Sequence, residues 1–287
     1  MFGLFKKKEG KPEETQWEPN AENKQFKKFA AQFQPEELSI LAVTGANGFS
    51  GGRTPKEKLW QATIGLTAWM EEDSSDIHQG EFPLSTIADD QLLEILRRRA
   101  PQDFIIKFKG RVSEDGQRLL LLDLPEPGFD PDLKAILEEQ KKPVTFWEDG
   151  LGTFTLNRSV DWFETEVDWL GTEISLTIDR NEDRASCVQN AKTLLAAMAE
   201  WDKRVREYAA DELLDLANDW SQDIDEDGEA VEVTREQFME RMEPESVEIR
   251  ADGKFEFWFG DGELFCGHSI RVSGDLENGP EDAAMEG

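Results

Sequence analysis

Apolar and polar residues alternate with a period of two along much of the chain, the pattern of strands with one buried face. In the run WFETEVDWL, which starts at Trp162, Phe163, Thr165, Val167 and Trp169 share one face, opposite the three acids Glu164, Glu166 and Asp168. Ile174, Leu176 and Ile178 repeat the alternation after a turn at Gly171. These segments predict neighbouring strands of one sheet.

The first half of the chain mixes strand-like and helix-like runs. Strand-like runs begin at Leu38 and Leu59, and two more flank Asp115-Gly116, which is a strong hairpin signal. Apolar spacing predicts a helix over Ile87 to Arg99, and Pro131 opens a second one that runs through Gln140.

The second half has one long helical pattern. No glycine or proline occurs between Gly171 and Gly228, and apolar residues recur there at helical spacing. This predicts one long helix or two abutting ones with a break near Asp211, a good N-cap residue. A last helix is expected over Arg235 to Met242. It is followed by three strands: Val247–Arg250, Phe255–Phe259 and Leu264–Val272.

These patterns predict an α+β protein. The main domain is expected to hold an antiparallel sheet of about six strands with the long helical segment on one face. A smaller mixed α+β domain precedes it. The expected limits are a polar lead-in with a short helix (1–36), an N-terminal domain (37–147), the main domain (148–273) and an acidic disordered tail (274–287).

Charge narrows the choice of partners. The chain has 62 Asp and Glu against 32 Lys and Arg, a formal net charge of -30. Such a surface repels nucleic acid and anionic membranes, and it leaves open a basic protein partner, a metal cation or no particular partner. The chain has two cysteines, too few for a disulfide framework, and no apolar stretch of roughly 20 residues. We therefore expect a cytoplasmic protein.

The segment VTGANGFSGG, from Val43 to Gly52, matches the TGxxGxxG phosphate-binding loop of nucleotide-sugar epimerases and extended short-chain dehydrogenases. That loop must open a helix, whereas here Pro55 and a β-rich run follow. The catalytic YxxxK of that class is also missing. We expect a surface loop that leads into a strand, and nucleotide binding is kept as an alternative.

Two further motifs are weaker. Ser50 stands in a G-x-S-x-G string, but a nucleophile elbow also needs a helix directly after the serine. The segment from Asp223 to Gly228 begins like a calcium-binding EF-hand loop, but Thr234 takes the place of the closing glutamate. Thr234 and Gln237 instead form a helix capping box. We expect no catalytic residues, no cofactor and no metal site.

Three residues are the candidate binding residues. Trp162 and Trp258 lie on strand faces opposite the expected core, where an aromatic among acids can anchor a partner. Asp261 is the third and lies near His268 and Cys266. Strand alternation places His268 on the core side with Leu264 and Ile270, which favours a structural histidine with a paired ring nitrogen.

The segments GTFTLNRSVDWFETEVDWLGTEISLTID, WDKRVREYAADELLDLAND, TREQFMERM and DGKFEFWFGDGELFCGHSIRV occur in this order. Together they resemble the bacterial DUF2262 family over roughly Gly150 to Val272. That family has no known function, so the resemblance implies no catalytic residues. Phe265 to His268 are similar to a string in other small bacterial domains, some of them suspected toxin-immunity proteins.

Three functions remain open. The first is a non-enzymatic protein-binding module, of the inhibitor or immunity type, that uses an acidic surface. The second is a structural or regulatory accessory protein, for which charge serves only solubility. The third is a nucleotide-binding enzyme that uses the TGANGFSG loop.

Overall fold

The computed structural model describes residues 23–220 and 232–287. They divide into two compact units between Lys142 and Pro143. The boundary expected after residue 147 lies a few residues too late. Thr145–Glu148 pairs with Gly152–Asn157 in an antiparallel hairpin and so belongs to the second unit.

The described part of the first unit contains three helices and seven strands. They are α1 (Lys24–Ala30), β1 (Leu38–Thr44), β2 (Ser50–Gly52), β3 (Trp60–Glu71), β4 (His78–Ala88), α2 (Asp90–Arg99), β5 (Ile105–Val112), β6 (Leu119–Leu121), β7 (Glu126–Pro127) and α3 (Pro131–Gln140).

Local signals explain most of these bounds. Asp130 caps α3, which starts at Pro131 as predicted. The predicted hairpin is confirmed, because Val112 pairs with Leu119 across a turn in which Gly116 has a φ of 71°. The start of α2 was predicted too early. Asp89 caps this helix by accepting the Leu92 amide, and Ile87 is still in β4.

Five strands of the first unit form a closed ring. β1 pairs with β3, β3 with β4, β4 with β6, β6 with β5, and β5 returns to β1. All of these pairs are antiparallel except β4–β6. Ile40 and Ala42 of β1 point into the barrel, whereas Leu41 and Val43 pack outside it in a cluster with Leu133 of α3.

The predicted lead-in helix is confirmed as α1, and its apolar residues pack on the outside of the barrel. Phe26 and Phe33 are buried in a cluster with Ile87 and Leu120. The Asn23 side chain caps the helix by accepting two backbone amides.

The glycine segment leads into strands, as predicted. After β1, residues 45–49 lie outside regular structure, and Gly51 then pairs with Ala62 of β3. No helix follows, so the geometry of a dinucleotide loop or a nucleophile elbow is not formed here. The Ser50 hydroxyl donates to the Thr63 carbonyl at 3.4 Å.

The described part of the second unit contains eight strands and three helices. They are β8 (Thr145–Glu148), β9 (Gly152–Asn157), β10 (Trp162–Trp169), β11 (Thr172–Asp179), α4 (Arg184–Ala196), α5 (Met198–Trp220), α6 (Arg235–Arg241), β12 (Glu243–Ile249), β13 (Lys254–Gly260), β14 (Ser269–Asp275) and β15 (Gly279–Glu286).

The eight strands form one sheet in the order β15-β14-β13-β12-β11-β10-β9-β8. Most neighbouring strands of this sheet are antiparallel, as predicted, but β11 and β12 run parallel, and the sheet has eight strands instead of about six. The extra strands include β8 at one edge and β15 at the other.

The predicted disordered tail is wrong, because residues 279–286 form β15. Strand β15 pairs with β14 along its length, after a turn in which Asp275 accepts the Glu277 and Asn278 amides. Arg271 of β14 donates to Asp282 and Glu286. These bonds neutralise acidic side chains of β15. Disorder was predicted for this segment because it is rich in such side chains.

The long helical segment is two helices, and the predicted break near Asp211 is wrong. The chain leaves helical geometry at Ala197, where φ is −120° and ψ is 28°. Asp211 lies inside α5 and pairs with Arg235 at 2.9 Å. Because neither glycine nor proline marks the break, the sequence gives no local signal for it. The capping box of Thr234 and Gln237 is confirmed at α6.

Candidate functional site

The sheet of the second unit has its helices on one face. Phe163, Ile174, Phe257 and Val272 point from the strands into one large core, to which α4, α5 and α6 all contribute. Successive side chains of a strand point to opposite faces, so the residues between these apolar positions form the other face. We call it the open face.

Strand register aligns the side chains of the open face in rows. One row is Thr155, Glu164, Thr177, Glu248, Glu256, Ser273 and Asp282; the next is Glu166, Ser175, Ser246, Trp258, Arg271 and Ala284. The first row holds four carboxylates and no cation. Glu248 and Glu256 are direct cross-strand partners, and like charges in that relation destabilise a sheet.

Glu248 is the most enclosed carboxylate of this row, with 8% of its surface exposed. Burial raises the pKa of Glu248, and the nearby charges of Glu256 and Asp179 add to that rise. Arg250 opposes it, since its Nε donates to Glu248 at 2.9 Å. The open face therefore holds a negative charge that is only partly compensated.

Arg271 is the cation of the second row, and its guanidinium donates hydrogen bonds to three side chains. Its guanidinium donates to Asp282 at 2.9 Å, to Glu286 at 3.1 Å and to Ser273 at 3.0 Å. Its charge is therefore committed to two carboxylates within the protein. Trp258, its half-buried cross-strand neighbour, is the large apolar side chain of this row.

A polar groove adjoins the open face where β9 leaves β10. Pairing between these strands covers Trp162 to Glu164 of β10 and then ends. The resulting groove has a volume of about 720 Å³, and its carboxylates are Glu164, Glu166 and Glu173. It joins the first row of the open face at Glu164.

The structure places the two predicted tryptophans on the open face, but it does not bring them together. Trp162 is on β10 and Trp258 is on β13, with β11 and β12 between them. Both are half-buried. That either one binds a partner stays a prediction.

Asp261 is buried and holds a loop together. Its Oδ2 accepts the amides of Phe265 at 2.6 Å and Gly267 at 3.0 Å, and its Oδ1 accepts that of Glu263 at 3.2 Å. These bonds fix the turn between β13 and β14. The geometry therefore favours a structural role for this predicted binding residue.

The predicted strand from Leu264 to Val272 is wrong in its first half, because β14 starts only at Ser269. Leu264 and Phe265 are adjacent and both buried, and Cys266 is exposed with a φ of 57°. The alternation argument for His268 therefore fails. Its ring nitrogen is nonetheless paired: Nδ1 lies 2.5 Å from the Phe265 carbonyl, an acceptor, so Nδ1 carries the hydrogen. The half-buried ring packs against Trp220.

Metal chemistry has no candidate in the described residues, among which no group of three His, Cys, Asp or Glu side chains could hold an ion. The EF-hand-like segment from Asp223 to Gly228 lies outside the residues that the structure describes. Of the two free cysteines, Cys187 is buried, and burial together with Glu182 raises the pKa of its thiol to about 12.

Sequence reasoning missed most of the acidic row. Alternation in WFETEVDWL placed Glu164 and Glu166 opposite the core, and Glu256 shows the same signal between Phe255 and Phe257. The alignment of Glu164 with Glu248 and Asp282 depends on register between distant strands, which no single segment encodes.

Comparisons with known proteins agree with the two units. Residues 148–285 match the family described as "Uncharacterized protein conserved in bacteria (DUF2262)", and residues 25–140 match a domain of unknown function, DUF7021. Neither the curated proteins nor the solved structures include a match. No helix in the described ranges is long and apolar enough to cross a membrane.

The first match confirms the resemblance found in the sequence motifs. It also extends to residue 285, which includes the last strand β15 in the family's domain. Residues 148–285 therefore form a DUF2262 domain, of a family that is conserved in bacteria.

Proposed function

We propose that the second unit is a non-enzymatic protein-binding module whose open face binds a basic segment of a partner protein. The observation that carries the proposal is the direct pairing of Glu248 with Glu256 on a sheet face that the unit's own helices leave free. Folding places these like charges side by side, and a partner's Lys or Arg would relieve their repulsion.

Two further observations support a basic partner. Between residues 143 and 287 the chain has 37 Asp and Glu against 12 Lys and Arg. Trp258 lies one row away from the Glu248–Glu256 pair and offers apolar contact area beside the charges. Aromatic residues surrounded by complementary charge are frequent anchors in protein interfaces. An inhibitor or immunity protein that covers a basic surface would use such a face.

The test distinguishes binding at the open face from attraction by the net negative charge of the chain. Binding of a fluorescent Lys- and Arg-rich peptide is measured by anisotropy at physiological ionic strength. The test variant is Glu164→Gln with Glu256→Gln. The control is Asp215→Asn with Asp219→Asn, which removes the same charge from exposed positions on α5.

We expect the open-face variant to bind at least about tenfold more weakly and the α5 variant to bind within about twofold of the original chain. Trp258→Ala should also weaken binding. Equal losses in both double variants would mean that net charge alone attracts the peptide, and the proposal would then be wrong.

A further inference from the structure

The barrel of the first unit has the strand order of an OB-fold. If its five ring strands are numbered along the chain, their order around the barrel is 1-2-3-5-4, and strand 4 closes on strand 1. The third and fifth strands are parallel, and α2 connects the third to the fourth. OB-fold barrels bind oligomeric ligands on the outer face of strands 2 and 3, beside the loop that joins strands 1 and 2.

A groove of about 480 Å³ lies at that place in this barrel. Its floor includes Thr63 of β3 and Ile87 of β4, which are the second and third ring strands. Lys28 and Phe29 of α1 form one wall, and Arg53, from the segment between β1 and β3, forms another. A fold alone does not define a function, so the chemistry of these side chains must carry the inference.

The two segments that border the groove are basic in an otherwise acidic chain. Residues 24–34 and 50–59 contain six Lys and Arg and one acid, Glu57. Lys28 and Arg53 are both exposed. A groove with this charge favours a polyanion.

Flat side chains accompany the cations. The Phe29 ring lines the groove, as does the guanidinium of Arg53, which lies 4.0 Å over the Trp60 ring. Gln61 adds an amide that can form hydrogen bonds with a ligand. Grooves that bind single strands combine cations, which contact the phosphates, with flat side chains, on which the bases stack.

The overall charge of the chain does not oppose such binding at this site. Residues 23–142 contain 16 Lys and Arg against 20 Asp and Glu, so the first unit is nearly balanced. The large excess of acid belongs to residues 143–287. Salt screens exposed charges beyond about 8 Å at physiological ionic strength, so the local charge governs the groove. The sequence-based prediction of no nucleic acid rested on the net charge of the whole chain.

We infer that this groove binds single-stranded nucleic acid. The phosphates lie against Lys28 and Arg53, and the bases stack on Phe29 and on the guanidinium plane of Arg53. This site is independent of the open face and serves a different partner.

The test measures anisotropy of a fluorescent mixed-sequence single strand of about twelve nucleotides, as RNA and as DNA, with the full chain over a series of salt concentrations. The variants are Lys28→Glu, Arg53→Glu and Phe29→Ala. The matched control is Lys134→Glu, an exposed charge reversal on α3. Thermal melting checks that each variant folds.

We expect saturable binding of at least one single strand. Lys28→Glu and Arg53→Glu should each weaken it about tenfold and reduce the salt slope by about one, and Lys134→Glu should change it less than about twofold. Phe29→Ala should weaken binding without changing the salt slope, because it removes no charge.

Four outcomes would overturn the inference. The first is that no single strand binds saturably at low salt, and the second is that Lys134→Glu weakens binding as much as the groove variants do. The third is that the matching duplex binds as tightly as the single strand. The fourth is that a neutral oligosaccharide displaces the fluorescent strand at concentrations at which an unlabelled single strand does not. None of them bears on peptide binding at the open face, so the two proposals fail separately.

Discussion

The two units solve the problem of sheet edges in opposite ways, and their surfaces differ accordingly. The first unit closes five strands into a ring and covers parts of its outside with α1 and α3. In its described residues, the second leaves eight strands open, with β8 and β15 as edges, and packs α4, α5 and α6 on one face. A closed ring removes exposed edges, whereas an open sheet must protect its edges by other means, of which charged side chains are one.

The cores show the same contrast. The second unit has one large cluster, which extends from Leu151 to Val272. The first unit has a barrel interior and two smaller clusters outside it. Both faces of β1 are covered, because one face lines the barrel interior and the other packs against α3. A layered sheet thus concentrates its stability in one core and leaves a whole face available for charge.

The largest expected effect comes from truncating the large core. Phe257 is 1% exposed and its ring contacts those of Trp169 and Phe255. Phe257→Ala should lower the free energy of unfolding by about 3–5 kcal/mol. Phe108→Ala inside the barrel is the counterpart, since Phe108 is 2% exposed.

Hydrogen exchange followed by mass spectrometry locates the effect. Phe257→Ala should speed exchange mainly in residues 143–287, and Phe108→Ala mainly in the barrel strands. Equal acceleration in both units by either variant would show that they unfold as one, and the contrast between two separate cores would be lost.

A smaller loss is expected from Asp261→Ala. The change leaves the amides of Glu263, Phe265 and Gly267 without their acceptor, in a loop where Phe265 is fully buried. We expect a loss of about 2–3 kcal/mol in urea unfolding. Asp261→Asn, which keeps one carbonyl oxygen, should lose less. A loss below about 0.5 kcal/mol for Asp261→Ala would mean that water replaces the carboxylate and that the loop does not depend on it.

The smallest effect is a difference in pH dependence between the units. Lys107 and Ser39 lower the pKa of Glu72 in the barrel, so its stabilising contribution is lost as the pH falls through that pKa. Burial raises the pKa of Glu248, so the folded state binds this proton more tightly than the unfolded chain does. Glu248 therefore opposes folding increasingly as the pH rises through its pKa.

Urea midpoints between about pH 3 and 7 test the two signs. Compared with the original chain, Glu248→Gln should be more stable at the upper end of this pH range, because it removes a buried negative charge. The gain should be less than about 1 kcal/mol, because the change also weakens the interaction with Arg250, whose guanidinium is then hydrated. Glu72→Gln should be relatively less stable at the upper end. The same sign for both variants would contradict the assigned causes.

Local signals in the sequence predicted most elements but not their assembly. Pro131, Asp115-Gly116 and the Thr234–Gln237 capping box each act within a few residues, and each prediction from them is confirmed. The break at Ala197 was missed because it has no local marker. Strand β15 was missed because its acids are compensated by Arg271, which precedes them by several residues.

The candidate sites required contacts that no single segment encodes. Alternation placed Trp162 and Trp258 on the correct face, but only strand register aligns Glu164, Glu248 and Asp282 in one row. The barrel groove forms only because α1 packs beside β3 and β4, next to Arg53 and Thr63. The net charge of the chain also concealed the difference between a balanced unit and an acidic one.

The parallel contact between β11 and β12 has a consequence for how the second unit folds. Every other neighbouring pair in this sheet is antiparallel and consecutive in the chain, so β8–β11 and β12–β15 are two four-stranded meanders. Each meander can form from short loops, whereas joining Leu176 to Val247 must close a loop that contains α4, α5 and α6. Closing long loops is slow. We therefore expect the two half-sheets to join late in folding, with the formation of the β11–β12 contact as the rate-limiting step.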